Sequence, residues 1–411
     1  MNGSSGILIS FSIKWIILFN FVYDFDSFFN LEPSVMMKRK FIAICFLAFP
    51  VFHILACTSA IVGADMNPYG RPLLWKNRDT SASDNKIEYV PSQNGEFAYV
   101  ALFNASDSLL NEAWMGMNEY GFAVMNTASY NLKDDDVPQK DMDKEGYVMT
   151  KALKKCKTVD DFASLLDSLP KPMGVEANFG VIDAYGNGAY FETNNNSFNR
   201  FNLSDSPDHI MVRTNYSHSG RENEGYGFIR EANANHLLTP FIENHQVAPE
   251  VLTETLSRSF YHDLIKKDFS DADEEWVIDQ DFIPRYTSTA TVVIEGCKPL
   301  QSGEELSPEF LTQQYVMWTG LGYPPCSEIF PVWCSEEGVD PVLKGDPSTG
   351  RSSQCDIVKQ RKAEVFPFTK GNGEKYIHMP KLFNEEGTGY VQTLSPKNIA
   401  TYSKIRSNRD K

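Results

Sequence analysis

The chain has 411 residues, 42% of them hydrophobic and 13% aromatic, and carries a formal net charge of −16. That apolar content is ample for a large core and excludes an intrinsically disordered chain. The acidic balance disfavours nucleic acid and anionic membrane surfaces as partners. With 7 cysteines and no CxxC pair, neither a disulfide scaffold nor a zinc site is indicated.

Residues 1–36 are apolar and aromatic but broken by Lys14, Asn20, Asp24 and Asp26. They read either as a start codon placed too early or as a membrane-inserted extension, in which Lys14 at mid-span costs roughly 3 kcal/mol. Residues 37–56, MKRKFIAICFLAFPVFHILA, combine a Lys38-Arg39-Lys40 stretch, an apolar core and a small terminal Ala56. This is the pattern of a signal peptide, too short and wrongly flanked for a membrane span. The expectation is export, to the periplasm or outside the cell, with 57–411 as one mature domain that holds no membrane span. The first 56 residues carry four cations (Lys14, Lys38, Arg39, Lys40) and three anions (Asp24, Asp26, Glu32), so their removal takes −16 to −17.

Cys57 follows the leader directly. Cleavage between Ala56 and Cys57 puts a thiol and a free α-amine on one residue, which supplies a nucleophile and its own general base. A competing reading takes Ile54-Leu55-Ala56-Cys57 as a lipobox, making the chain a membrane-anchored lipoprotein that acts as a binding module. The two exclude each other, because lipidation consumes both the thiol and the amine. Leu55 suits a lipobox poorly, and Cys57 runs straight into a strand pattern rather than a polar tether.

From Cys57, alternating residues, a DMNPYGR turn and the run PLLWKNRD predict a hairpin. On its second strand Lys76 and Arg78 share a face, and Asp79 sits at the end. Strands are predicted at 98–103, 113–118 and 121–127, the last two joined by a tight turn at Gly121. Residues 131–146 form an aspartate-rich loop. There Asp141, Asp143, Glu145 and Gly146 imitate a calcium loop, but its twelfth position is Ala152, so a solvated loop is the better account. Helices follow at 147–155 and, capped by Thr158 with Asp161 three residues on, up to Pro170. Further strands are predicted at 178–184, 189–193, 210–214, 288–295 and 315–319, with helices at 226–238, 249–258 and 356–364. Cys326 and Cys334 are candidates for a disulfide, and the basic C-terminal tail reads as frayed. Strand runs alternating with helix runs fit a layered α+β architecture rather than βαβ units.

The sequence resembles the cysteine N-terminal-nucleophile hydrolases, a family that includes choloylglycine hydrolases, isopenicillin N acyltransferases and acid ceramidases. The resemblance rests on Cys57-Thr58, on KNRD, on GMNEYGFAVMN and on VRTN, in that order behind a leader; VIDAYGNGAYFE adds a structural hairpin. It implies a four-layer αββα sandwich and a thioester on Cys57 formed from a linear, non-peptide amide. It also implies Asp79 as the site's aspartate, with Asn126 and Asn215 as oxyanion or substrate-orienting donors. Lys76 stands where the family has arginine, which a lysine cannot reproduce as a fork. Arg78 and, more distantly, Arg230 are the other cations available to the site. The resemblance implies no cofactor and no metal, and a small-molecule amide as partner. Bile salts, N-acyl amino acids and β-lactam precursors all remain open, as does oligomeric state.

Each of these residues also has a bland reading. The asparagines could close their own turns, and Lys76, Arg78 and Asp79 could form an ordinary strand-end ion pair. The six histidines of the mature region show no ligand spacing.

Overall fold

The computed structural model describes residues 57–271, 273–301, 303–304 and 307–409. The expected leader and N-terminal extension lie outside the described residues. The chain opens with the hairpin of β1 (Thr58–Val62) and β2 (Leu73–Asp79), antiparallel with Thr58 opposite Asn77. A meander follows: β3 (Asn85–Val90), β4 (Tyr99–Asn104), β5 (Met115–Asn118) and β6 (Ala123–Ala128). The β5–β6 turn needs Gly121, where φ is +77° and an added Cβ would lie 2.6 Å from the Tyr315 ring.

Two helices come next, α1 (Glu145–Lys155) and α2 (Val159–Ser168). The capping box of α2 forms as predicted: Thr158 Oγ1 accepts from the Asp161 amide, and Asp161 Oδ2 accepts from the Thr158 amide. Then come β7 (Ala177–Ile182), β8 (Gly188–Thr193), β9 (Phe198–Asn202), β10 (Ile210–Arg213) and α3 (Phe228–Ile242). Short pairs β11 (Tyr261–His262) and β12 (Lys267–Asp268), and then β13 (Trp276–Ile278), precede the long β14 (Ser288–Glu295). The chain ends with α4 (Pro308–Gln314), β15 (Val316–Leu321), β16 (Phe330–Val332), α5 (Ser353–Val365), β17 (Phe368–Thr369), β18 (Lys375–His378) and α6 (Tyr390–Arg409).

Two sheets dominate the described residues. One has the order β10-β1-β2-β14-β15-β16, the other β3-β4-β5-β6-β7-β8-β9. They pack face to face, and period-two alternation sorts their side chains. Ile61 and Leu74 point inward and meet Met117, Met125 and Tyr190 of the second sheet. Ala60, Val62, Leu73 and Trp75 point outward into a layer shared with Leu238 of α3 and Tyr402 of α6. On the far side, Phe122, Val124 and Phe179 pack against Leu153 of α1 and Phe162 of α2. Helix, sheet, sheet and helix make a four-layer α+β sandwich.

Four expectations need correction. The predicted helix at 249–258 is π-helical over Val251–Leu256, where Ser257 donates to Leu252 five residues back. The tail is not frayed but helical as α6, held by Tyr402, whose hydroxyl bonds Thr253 at 2.8 Å. Cys326 and Cys334 are both free, because they sit in different apolar clusters. Strands β3, β9, β11, β12, β13, β16, β17 and β18 and helix α4 went unpredicted.

Candidate active site

Cys57 sits at the mouth of β1, 7% exposed. Its Sγ faces the last peptide of β2: the Asp79 amide lies 3.5 Å away as donor, and the Asp79 carbonyl 3.7 Å away as acceptor. Hairpin register brings this about, since Thr58 opposite Asn77 carries Cys57 towards the end of β2.

Arg230, from the first turn of α3 and 1% exposed, grips the nucleophile's backbone. Its Nη1 donates to the Cys57 carbonyl at 2.6 Å and to Thr58 Oγ1 at 2.9 Å, while Nη2 donates to Asn215 Oδ1 at 2.9 Å. Burial lowers its pKa to about 10, which leaves it charged at neutral pH. Asn215 Nδ2 in turn donates to the Ala128 carbonyl at 2.8 Å, leaving one amide hydrogen for another acceptor.

Lys76 projects from β2 past the start of β5. Its Nζ donates to Asn126 Oδ1 at 2.8 Å and to the Trp114 carbonyl at 3.1 Å. Burial pulls its pKa down to about 8, against the opposing pull of Cys57. With Oδ1 held by Lys76, the Asn126 amide turns its Nδ2 away from the cation; that nitrogen has no partner among the described residues. No hydrogen bond joins Asn126 to Cys57 there.

Two predicted residues sit differently from expectation. Arg78 is spent elsewhere: it donates to Asn85 Oδ1 and, at 2.8 Å, to Asn104 Oδ1, and stacks 5.1 Å over Trp114. The Asp79 carboxylate is saturated. Oδ1 accepts from Ser288 Oγ at 2.5 Å and Asn77 Nδ2 at 3.2 Å. Oδ2 accepts from Arg285 at 2.8 Å and 3.2 Å. Four donors fill a carboxylate's lone-pair directions, so Asp79 meets the thiol through its backbone.

Ser288 and Arg285 are site residues that the sequence reading missed. They reach Asp79 from more than two hundred residues away, and no local pattern marks them. Among the described residues no histidine hydrogen-bonds Cys57. A cleft of about 620 Å³ opens on Tyr130, Lys133, Asp134, Asp135, Asp136, Glu176 and Arg221. Cys57 does not line it. The phenol pKa of Tyr130, in its lining, is pushed up by burial first and by Cys57 second.

Residues 66–272, half of the chain, match the model of the family described as acyl-coenzyme A:6-aminopenicillanic acid acyl-transferase. The chain belongs to that family. It is thus an N-terminal-nucleophile enzyme of the amide-hydrolysing and acyl-transferring kind, and the matched span of this acyl-transferase relative contains Lys76, Asp79, Asn126, Asn215 and Arg230. No curated protein sequence matches the chain. Solved structures with some likeness include a Caenorhabditis elegans ortholog of N-acylethanolamine-hydrolyzing acid amidase, 14% identical with a TM-score of 0.41, covering 63% of this chain and 98% of that one. Others are a variant conjugated bile acid hydrolase from Clostridium perfringens (12%, TM-score 0.39, 67% and 92%) and penicillin V acylase from Agrobacterium tumefaciens (10%, TM-score 0.36, 67% and 86%). Likenesses this remote carry no weight for function. No helix among the described residues of this acyl-transferase family member is long and apolar enough to cross a membrane.

Proposed function

We propose that this enzyme is exported and processed to begin at Cys57, and that it cleaves or transfers the acyl group of a small linear amide through a thioester on that residue. The observation that carries the reading is the Cys57 thiol, set against the Asp79 amide while Arg230 holds the same residue's carbonyl. An amide nitrogen is no base near pH 7, so the cut before Cys57 creates the catalytic amine. In the first step the amine takes the thiol proton and Sγ attacks the amide carbon. The Asp79 N–H and the Arg230 charge favour the thiolate. Asn215, with its free amide hydrogen, and Asn126, turned by Lys76, donate to the oxyanion. The tetrahedral species collapses as the ammonium returns its proton to the leaving nitrogen, and water or a second amine then resolves the thioester. A cysteine this buried also favours the nucleophile over a lipidated anchor, since a thioether-linked lipid must lie outside the fold.

The experiment compares Cys57→Ala with a mature chain carrying one unprocessed residue before Cys57. Both lose turnover to the same extent, because nucleophile and base act as one unit. Normal turnover by the extended chain, shown intact by mass, would refute the self-contained base.

A further inference from the structure

Asn215 and Asn126 come from opposite sheets. Asn215 follows β10, the edge of one sheet, and Asn126 lies on β6, inside the other. An oxyanion site assembled this way depends on whatever fixes one sheet edge against the other, since a misplacement of about 1 Å costs on the order of 100-fold in rate. The inner face of β7 carries such a fastener.

Asn178, fully buried on β7, sits opposite Thr127 in the β6–β7 ladder. Its Nδ2 donates to Thr127 Oγ1 at 3.1 Å on its own sheet. The same nitrogen crosses to the carbonyls of the two residues that flank Asn215, Tyr216 at 3.0 Å and Thr214 at 3.3 Å. Its Oδ1 accepts from Ser217 Oγ at 2.5 Å. Three of these four contacts thus converge on Thr214, Tyr216 and Ser217 around Asn215, while the fourth ties the same side chain to β6; a backbone held on both sides leaves the intervening side chain one direction.

We propose that Asn178 is a positioning residue for the oxyanion site: it locks the 214–217 segment to β6 and β7, so that the Asn215 amide is held ready for the developing charge. This rests on the reading of Asn215 as an oxyanion donor. Asn178 itself touches no reacting atom. Its hydrogen-bonding requirement is strict, because the isosteric carboxylate of aspartate would still accept from Ser217 but would meet the two carbonyls with no donor.

The test measures kcat, KM and the rate of Cys57 alkylation by iodoacetamide in Asn178→Asp, alone and combined with Asn215→Ala or Asn126→Ala. Asn178→Asp lowers kcat by roughly 10- to 100-fold with KM within about twofold of wild type, as a pure loss of positioning does. Alkylation continues at the wild-type rate, which a general loosening of the fold would not allow. Adding the change to Asn215→Ala brings no further loss, whereas adding it to Asn126→Ala multiplies the losses. Should Asn178→Asp not fold, Thr127→Val, which removes only the anchor on β6, is expected to show the same pattern with a smaller drop. Wild-type turnover in the Asn178 variant, or losses that multiply in the Asn215→Ala background, overturns the proposal while Asn215→Ala alone stays slow. Normal turnover by Asn215→Ala refutes the oxyanion reading and this inference together.

Discussion

The saturated carboxylate of Asp79 makes the sharpest stability prediction. Its side chain is 0% exposed and that of Arg285 is 19% exposed, with Nη2 and Oδ2 2.8 Å apart. Asp79→Asn keeps the shape but removes the first of the carboxylates that act on the guanidinium, Asp279 and Asp281 being the others, a loss of about 3–5 kcal/mol for a buried pair. With about 2.1 cal/mol/K of unfolding entropy per residue over about 350 residues, this lowers Tm by roughly 4–7 °C. Arg285→Met strips the same pair from the other side, so the double variant should recover on the order of 2 kcal/mol relative to the sum of the singles. Because the carboxylate holds the end of β2, and with it the amide facing Cys57, either single variant slows turnover by about 10- to 100-fold and the double no further. Thermal melts and steady-state kinetics on the four proteins of the cycle decide the matter. Additive Tm losses would refute the mutual anchoring. Loss of turnover in Asp79→Asn alone, with Arg285→Met normal, would mean that the carboxylate acts directly on the amine or the substrate.

Other predictions follow from single residues. Lys76, with its pKa pulled down to about 8, is charged below that pH and loses its charge beside Asn126 above it, so kcat/KM falls on the alkaline side. Lys76→Arg moves that limb upward, and a pH profile unchanged by this substitution assigns the limb to another group. Glu145, 7% exposed, is pushed up to about 7, chiefly by burial. The folded state therefore holds a proton that the unfolded state releases near pH 4.5, and stability declines between those values by on the order of 3 kcal/mol. Glu145→Gln should flatten the Tm profile over that interval; an equally steep profile would place the slope elsewhere. For the leader, a chain starting at Met37 should be exported and processed like the full one, and loss of export on deleting residues 2–36 would contradict the assigned signal peptide.

What could be read in the sequence was what is local. Alternation in CTSAIVGA and PLLWKNRD gave the β1–β2 hairpin, and with it Cys57 beside the end of β2. Thr158 and Asp161 declared the start of α2 because a capping box lies within four residues. Arg230 was legible only as a loose candidate, since an arginine in the first turn of a helix is ordinarily a surface residue; nothing in GFIRE says that this one turns inward to Cys57 and Asn215. Ser288, Arg285 and Asn178 act through partners brought close by sheet packing, which spacing along the chain does not encode. The π-helical turn at Val251–Leu256 escaped because its repeat is not 3.6 residues. Helix α6 escaped because Val391, Leu394 and Tyr402 form no continuous apolar stripe.

The central claim is that the mature chain starts with a free Cys57 that becomes acylated. Intact-mass measurement of the purified mature protein, before and after brief exposure to an excess of amide substrate, tests it most directly. The account predicts a chain beginning at Cys57 with an unmodified amine, and a gain equal to the acyl group that maps to the N-terminal peptide and is lost on treatment with hydroxylamine. A mature chain that retains Ala56, a lipid mass on Cys57, or an acyl group elsewhere would contradict it.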